Sequence, residues 1–283
     1  MENGSSTKRR DGSAPGADVA VVIATYRRPA RLVETLRNVL DQRGANLEVL
    51  VVDDCPDGSA AASVRECADA RLRYVRNPHP SNGRPAIVRN YGWPLTGAPV
   101  IHFMDDDDLV PPGLYADALA AFAAAPNVGM IFGRIEPFGE PSQGLVDDRA
   151  LFARSARRAA RLQRFGSRRL LTAQLLFREL LFVGGSTLIR RRCLEAAGGY
   201  STGPEIMEDV DLLARITRLF GAQFIDRPSL YYRVGPSLMH RPGGVQAIMD
   251  RSYRRIHADF RRRFGAFEFF TLKFIARTVL TLY

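Results

Sequence analysis

The chain has 283 residues, a formal net charge of +10 at pH 7 and a hydrophobic content of 46%. That apolar content supports a sizeable core and excludes a disordered protein, while the basic balance indicates an acidic partner such as nucleic acid, an anionic membrane surface or a phosphorylated substrate. Three scattered cysteines, Cys55, Cys67 and Cys193, exclude a disulfide framework and favour a reducing compartment.

The two ends of the chain differ in composition. Residues 1–17 are rich in Gly, Ser and basic residues with no apolar run behind them, which predicts a disordered arm and not a secretory signal. The most apolar segment, 264–283, is interrupted by Glu268, Lys273 and Arg277, so it lacks the run of about 18 uncharged residues that a membrane span needs. We expect a cytoplasmic protein, with a peripheral position at the inner membrane face as the alternative.

Strand and helix patterns alternate over the first half of the chain. The β-branched runs 18–25 and 47–54 predict buried strands, and the segment between them predicts a helix that begins at Pro29. The alternation continues with predicted strands at 71–75, 99–104 and 128–135 and predicted helices at 84–92 and 112–125. Strands buried on both faces and separated by helices predict an α/β fold with a mostly parallel sheet.

The pattern loosens after residue 136. Segment 149–169 contains eight arginines and no acid. Further predicted elements are a helix at 170–180, a strand at 186–191, a turn at Gly198 and Gly199, and a helix at 208–220. No internal repeat and no second complete core is found, so the pattern predicts one domain with a C-terminal extension.

Carboxylates collect where predicted strands end. Asp53 and Asp54 end one strand and the run Asp105 to Asp108 ends another, and ligands of open parallel sheets bind beyond the carboxyl ends of the strands. Capping the next helix requires one aspartate, for which Asp108 is the candidate. The others favour a hard divalent cation such as Mg²⁺ or Mn²⁺, with capping plus a solvated surface as the alternative.

Six segments together resemble a known family. They are "VAVVIATYRRPARLVETLRNVLDQ", "EVLVVDDCPDGSA", "NGRPAIVRNYGW", "VIHFMDDDD", "GGSTLIRRRCLEAAGGY" and "MEDVDLLARI", which have the order and spacing of the glycosyltransferase family 2 catalytic domain, the GT-A fold. The resemblance implies metal-dependent, inverting transfer of a sugar from a nucleoside-diphosphate sugar to an acceptor hydroxyl. A UDP-sugar is the favoured donor, and a lipid-linked acceptor is one option.

The resemblance also divides the chain into parts. It runs from about residue 18 to residue 235, with 18–108 as the nucleotide-binding half and 109–235 as the acceptor-side half. Residues 236–283 then form a basic, amphipathic helical extension.

The nucleotide-binding residues implied by the resemblance lie near the ends of three segments. Thr25 and Tyr26 would form the edge of the nucleotide pocket. Asp54 would accept a hydrogen bond from the base, and Arg89 would flank the nucleotide.

The aspartate run matches the Asp-x-Asp motif of the family. The resemblance places Asp105 near the ribose and Asp107 on the metal, and Asp106 belongs to the nucleotide-binding set. Gly235 occupies a position where many relatives have histidine, and His240 is a candidate substitute ligand, although a lone histidine is more often structural.

The predicted helix at 208–220 contains the candidates for a catalytic base. At about 100° per residue, Asp209 falls in the middle of the apolar face and Glu208 at its margin, whereas Asp211 points away, four residues before Arg215, as in a solvated ion pair. Burying a carboxylate costs free energy unless it has a task. Asp209 is therefore the predicted general base, and helix N-terminal capping by Glu208 and Asp209 is the alternative.

Two basic segments remain without a fixed role. Arg154, Arg157, Arg158 and Arg161 have helical spacing, which fits a solvated face or a segment that binds anionic substrate or lipid. Segment 250–283 mixes Phe and Arg as an interfacial helix does, so an anionic membrane surface is a candidate partner. Docking on the catalytic domain or on a second subunit is the alternative.

Two other functions are alternatives to glycosyl transfer. A nucleotidyltransferase of similar fold would open its first strand into a Gly-rich, lysine-containing phosphate loop, but segment 24–32 has no glycine. A basic nucleic-acid-binding protein would use exposed aromatics with Arg and Lys, yet it gives no reason for Asp54 or for the aspartate run. We therefore expect no nucleic-acid partner.

Overall fold

A seven-stranded sheet forms the centre of the computed structural model, which describes residues 16–235 and 245–281. The strand order is β3-β2-β1-β4-β6-β5-β7. The strands are β1 (Val19–Thr25), β2 (Leu47–Asp53), β3 (Leu72–Arg76), β4 (Val100–Asp105), β5 (Met130–Phe138), β6 (Thr187–Arg190) and β7 (Ala222–Arg233). Only β6 runs antiparallel to its neighbours within this sheet. The predicted mostly parallel sheet is confirmed.

Helices flank this sheet on both sides. They are α1 (Pro29–Leu40), α2 (Ala61–Glu66), α3 (Pro85–Gly92), α4 (Leu114–Ala124), α5 (Gln143–Gln163), α6 (Arg168–Phe177), α7 (Arg191–Ala197), α8 (Glu208–Phe220), α9 (Val245–Phe264) and α10 (Ala266–Arg277). Successive residues of β1 pack into opposite apolar clusters: Val22 belongs to one, and Val21 and Ile23 to the other. Both faces of the strand are buried, which explains its continuous apolar run.

The register of the strands brings the polar strand ends together. Parallel pairing aligns Thr25 of β1 with Asp53 of β2, and Ala24 with Asp105 of β4. Because the carboxyl ends of these strands share one edge of the sheet, Asp54 and the aspartate run after β4 lie at the same edge.

Strand β7 was not predicted from the sequence. It contains Pro228 and pairs with β5 through register shifts on either side of Arg134, so its side-chain alternation is interrupted. β7 lies at the end of the strand order, and an edge strand tolerates a proline because one side of its backbone needs no partner.

The two C-terminal helices pack on the body of the protein. Ile256 and Phe260 of α9 and Leu272 of α10 belong to the same apolar cluster as Val22 of β1. No helix within the described ranges combines the length and the apolar character needed to cross a bilayer. Most of the predicted N-terminal arm and the candidate ligand His240 lie outside the described residues.

Close packing of α3 on the sheet requires glycine at position 92. A Cβ atom there would lie 2.6 Å from Val52 Cγ2 and 2.9 Å from Val22 Cγ1, and both valines are fully buried. We expect Gly92→Ala to lower the free energy of unfolding by about 1–3 kcal/mol through overpacking, measured by urea denaturation. Gly144→Ala is the control, because its Cβ would meet nothing closer than Val234 Cγ1 at 3.7 Å. An unchanged urea midpoint for Gly92→Ala would show that α3 can shift on the sheet.

Candidate functional site

A cleft of about 1430 Å³ opens at the edge where β1, β2 and β4 end. Its volume exceeds the roughly 300–1,000 Å³ of a typical small-ligand pocket, so the cleft is large enough for a ligand of more than ordinary size. The predicted site residues that line the cleft are Thr25, Tyr26, Asp54, Asp105, Asp106 and Asp107. Two others, Arg89 and Asp209, are not among the residues that line it.

Two of the four successive aspartates hold neighbouring strands. Asp106 is buried and accepts a hydrogen bond from the Thr25 hydroxyl at 2.7 Å, and burial raises the pKa of this carboxyl to about 6. Asp108 is also buried and accepts from the Arg233 N–H of β7 at 2.8 Å. These carboxylates fix the loop after β4 to β1 and β7.

The prediction that Asp108 caps the following helix was wrong. Helix α4 begins at Leu114, and Gly113 in the left-handed region precedes it. Asp108 instead bonds to a strand more than a hundred residues further along the chain, and a sequence pattern gives no sign of that contact.

The side chains of the other two aspartates are more exposed in the cleft. The side chain of Asp105 is 46% exposed and that of Asp107 is 29% exposed. In the Asp-x-Asp pattern, the carboxylates of Asp105 and Asp107 therefore reach solvent, whereas that of Asp106 is buried.

Arg28 is a site residue that the sequence reasoning missed. Its guanidinium lies 2.8 Å from Asp107 Oδ2 and 3.4 Å from Asp106 Oδ1, so it neutralises part of the aspartate run. A signal for it existed, because Arg28 follows the end of β1 by three residues and β1 pairs with β4.

The donor set of the cleft fits a divalent cation. Asp105 and Asp107 supply hard oxygen ligands of the kind that Mn²⁺ and Mg²⁺ prefer. Within 16–235 and 245–281, no group of three or more His, Cys, Asp or Glu side chains surrounds a common cation position. Two carboxylates with positions left for diphosphate and water match the usual mode of Mg²⁺ binding.

Asp54 organises the loop opposite the aspartate run. This fully buried carboxylate accepts from Asn77 Nδ2 at 2.7 Å, from the Ser81 hydroxyl at 2.8 Å and from the Gly83 N–H at 2.6 Å. Gly83 has φ +77°, and a Cβ there would lie 2.9 Å from Tyr26 Cδ1. The loop thus packs directly on Tyr26 in the cleft wall, and the contact of Asp54 with a nucleotide base stays a prediction.

Arg89 connects the aspartate run to helix α8. It is only 4% exposed, and it donates to Asp105 Oδ1 at 2.5 Å and to Glu208 Oε1 at 2.9 Å. Its guanidinium also lies 5.4 Å from the centre of the Tyr200 ring. Arg89 therefore orients Asp105 from behind the cleft, while the predicted direct contact with a nucleotide stays a prediction.

The first turn of α8 places two carboxylates beside the cleft. Glu208 lines the cleft and forms the ion pair with Arg89. Asp209 accepts from the Gly184 N–H at 3.0 Å through Oδ2 and from the Val210 N–H at 2.8 Å through Oδ1. Burial raises the pKa of both carboxyl groups. Glu208 acts as a counter-ion, whereas Asp209 is held by backbone groups alone at hydrogen-bond distance.

The prediction for Asp211 was wrong in one respect. It pairs with Arg215 four residues later at 2.6 Å, but the two side chains are only 2% and 4% exposed. The pair is buried because the turn after α7 covers it, and Arg215 donates to the carbonyl oxygens of Ala197 and Gly199. The helical-wheel argument gave the direction of Asp211 relative to α8, but it carried no information on the turn that covers that side.

Residues 20–198 match the family model described as glycosyl transferase family 2. The chain belongs to that family. Succinoglycan biosynthesis protein ExoO of Rhizobium meliloti (strain 1021) is 28% identical over 206 residues, which cover 66% of this chain and 58% of that relative. The chain therefore spans just over half the length of this relative.

Solved structures show the fold of this family member. The crystal structure of S. aureus TarS 1-349 in complex with UDP-GlcNAc has a TM-score of 0.63 at 15% identity, over 86% of this chain and 66% of that one. The mannosyltransferase PcManGT from Pyrobaculum calidifontis in complex with GDP-Man and Mn²⁺ has a TM-score of 0.57 at 19% identity, over 90% and 68%. This family member has the predicted GT-A fold.

Proposed function

We propose that this glycosyltransferase moves a sugar from a nucleoside-diphosphate sugar to an acceptor hydroxyl with inversion, in the presence of Mn²⁺ or Mg²⁺. The observation that carries the proposal is the orientation of the aspartate run, in which Asp105 and Asp107 face the cleft while Asp106 and Asp108 hold the adjacent strands. The structural relatives with UDP-GlcNAc and with GDP-Man and Mn²⁺ support it, and a UDP-sugar is the proposed donor.

In the proposed arrangement the nucleotide lies between Tyr26 and the loop that Asp54 holds. Its diphosphate lies against Asp105 and Asp107, where a bound cation would neutralise the charge that develops on the leaving nucleoside diphosphate. Arg28, which is half-exposed beside Asp107, adds the positive charge of its guanidinium next to the diphosphate. These residues orient the donor and stabilise the charge of the departing group.

The acceptor is proposed to enter from the side of residues 109–235. Four residues of the segment between β5 and the first turn of α5 line the cleft: Gly139, Glu140, Ser142 and Gly144. Asp209 removes the proton from the acceptor hydroxyl, the hydroxyl oxygen bonds to the anomeric carbon, and the nucleoside diphosphate leaves from the opposite face. The proposal keeps the division of the chain into a nucleotide-binding half (18–108), an acceptor-side half (109–235) and a C-terminal extension (236–283). It also includes a lipid-linked molecule as the carrier of the acceptor hydroxyl.

Removal of the proposed metal ligand should abolish the effect of metal on nucleotide binding. We expect UDP to bind the wild type at least about tenfold more tightly with Mn²⁺ than with a chelator, and Asp107→Ala to bind UDP equally in both, measured by calorimetric titration. Asp147→Ala removes an exposed aspartate of α5 and should behave as the wild type. Equal UDP affinity of the wild type with and without the chelator would contradict the metal assignment.

A further inference from the structure

The last helix carries a stripe of exposed aromatic side chains. Phe267, Phe270 and Phe274 of α10 are 83%, 53% and 64% exposed. Spacings of three and four residues place them on one face of the helix. Single exposed apolar residues are ordinary on a protein surface, but a contiguous patch marks an interaction site.

Helix α10 is fixed to the protein by its opposite face. Phe269 and Leu272 belong to the apolar core, and the buried Glu268 pairs with Arg169 at 2.8 Å and with Arg218 at 2.5 Å. The core contacts are therefore made without the three exposed rings. The three rings therefore stay exposed even though α10 is packed on the protein.

Basic residues surround the aromatic stripe. Lys273 and Arg277 flank it on α10, and the guanidinium of Arg261 on α9 lies 5.9 Å from the centre of the Phe270 ring. Glu268 is the one acid between residues 260 and 281, and its buried carboxylate is neutralised by Arg169 and Arg218. The surface that reaches solvent here is therefore aromatic and cationic.

We propose that this surface, the α10 stripe, docks the protein on an anionic lipid bilayer. It is defined as Phe267, Phe270 and Phe274 with Arg261, Lys273 and Arg277. The rings would enter the boundary between headgroups and acyl chains, while the cationic groups stay among anionic headgroups. The combination supplies the two signals, apolar burial and charge attraction, that reversible membrane binding requires.

The positive charge of the α10 stripe favours an anionic bilayer as its partner over a second copy of the chain. A two-fold interface places the same surface on both partners, so two α10 stripes would face each other with three cations on each side. An anionic bilayer covers the same rings and also offsets these cations. The proposal does not depend on the donor or metal assignment, because none of the six residues lines the cleft.

The test is flotation of the full chain with vesicles of phosphatidylcholine alone and of phosphatidylcholine with phosphatidylglycerol in equal parts. We expect the wild type to float only with the anionic vesicles. The joint variant Arg261→Gln, Lys273→Gln and Arg277→Gln should weaken partitioning by about 100-fold, since each cation near the surface contributes about fivefold. The joint variant Phe267→Ser, Phe270→Ser and Phe274→Ser should weaken it by at least about tenfold.

Matched variants on α5 and at Arg164, which directly follows it, separate the effect of this surface from that of the protein's net charge. Arg154, Arg157 and Arg164 are exposed, so changing all three to Gln removes the same charge elsewhere, and Val146→Ser removes an apolar side chain that is 58% exposed. Both controls should keep wild-type partitioning, and urea midpoints should show that every variant is folded.

Three results would overturn the proposal. In the first, the wild type floats with neither vesicle. In the second, the α5 arginine variant weakens partitioning as much as the cation variant of the α10 stripe. In the third, analytical ultracentrifugation shows a wild-type dimer that the three Phe→Ser changes convert to a monomer, which would make the stripe a contact between copies.

Discussion

Asp209→Asn is expected to lower sugar transfer by about 10²- to 10⁴-fold, the usual loss when a general base is removed, while UDP still binds. The amide has nearly the shape of the carboxylate but cannot take the hydroxyl proton. Its oxygen can accept from either the Gly184 N–H or the Val210 N–H, so one of these two bonds is lost. We expect a loss of stability of about 1–3 kcal/mol from that unpaired donor.

Glu208→Gln is the comparison that identifies the base. Glu208 lines the cleft but is paired with the buried Arg89, so its replacement should change the orientation of Asp105 and weaken UDP binding. Turnover, UDP affinity and the urea midpoint are measured for both variants. If Asp209→Asn turns over at a near-normal rate while Glu208→Gln is inactive with UDP bound normally, then Glu208 is the base and the helical-face argument chose the wrong carboxylate.

The pH profile gives a further check on Asp209. Burial raises the pKa of this carboxyl above its ordinary value of 3.8, and a general base works only when it is deprotonated. Turnover should therefore fall as the pH is lowered through the raised pKa, with the midpoint above that of an exposed aspartate. The direction of this change is fixed, because protonating Asp209 removes the group that accepts the proton.

The central strands and the motif positions could be predicted from the sequence for a physical reason. β1 and β2 are buried on both faces, so they are almost entirely apolar, and they end in polar residues at Thr25 and Asp53. Parallel strands bring such ends to one edge of a sheet. That argument predicted a common site for Asp54 and the aspartate run, whereas Thr25 was implied only by the family resemblance.

The separate environments of the four aspartates could not be predicted in the same way. Asp106 bonds to Thr25 at a sequence separation of 81 residues, and Asp108 bonds to Arg233 at a separation of 125 residues. Four identical side chains in a row carry no local sign of these partners. The contacts depend on the strand order, and β7, which supplies Arg233, was itself hidden by its proline and its register shifts.

Asp211→Asn should lower the free energy of unfolding by about 3–5 kcal/mol, as is usual when one partner of a buried ion pair is removed. Asp211 Oδ2 accepts from both Nε and Nη2 of Arg215, at 3.1 and 2.6 Å. The neutral amide offers one acceptor oxygen but no negative charge, so the buried guanidinium is left with uncharged partners, including the carbonyl oxygens of Ala197 and Gly199. The guanidinium, which is only 4% exposed, would then keep its charge without the carboxylate that pairs with it.

The matched control for Asp211 is Asp226→Asn. Asp226 pairs with Arg134 at the same N–O distance of 2.6 Å, but its side chain is 74% exposed, so the expected loss is only about 0–1 kcal/mol. Urea denaturation followed by circular dichroism measures both variants. Equal losses would mean that the Asp211–Arg215 pair is solvated after all. At urea concentrations below its unfolding midpoint, Asp211→Asn should keep the wild-type turnover per folded molecule. This result would distinguish it from Asp209→Asn, which lies two residues earlier on the same helix.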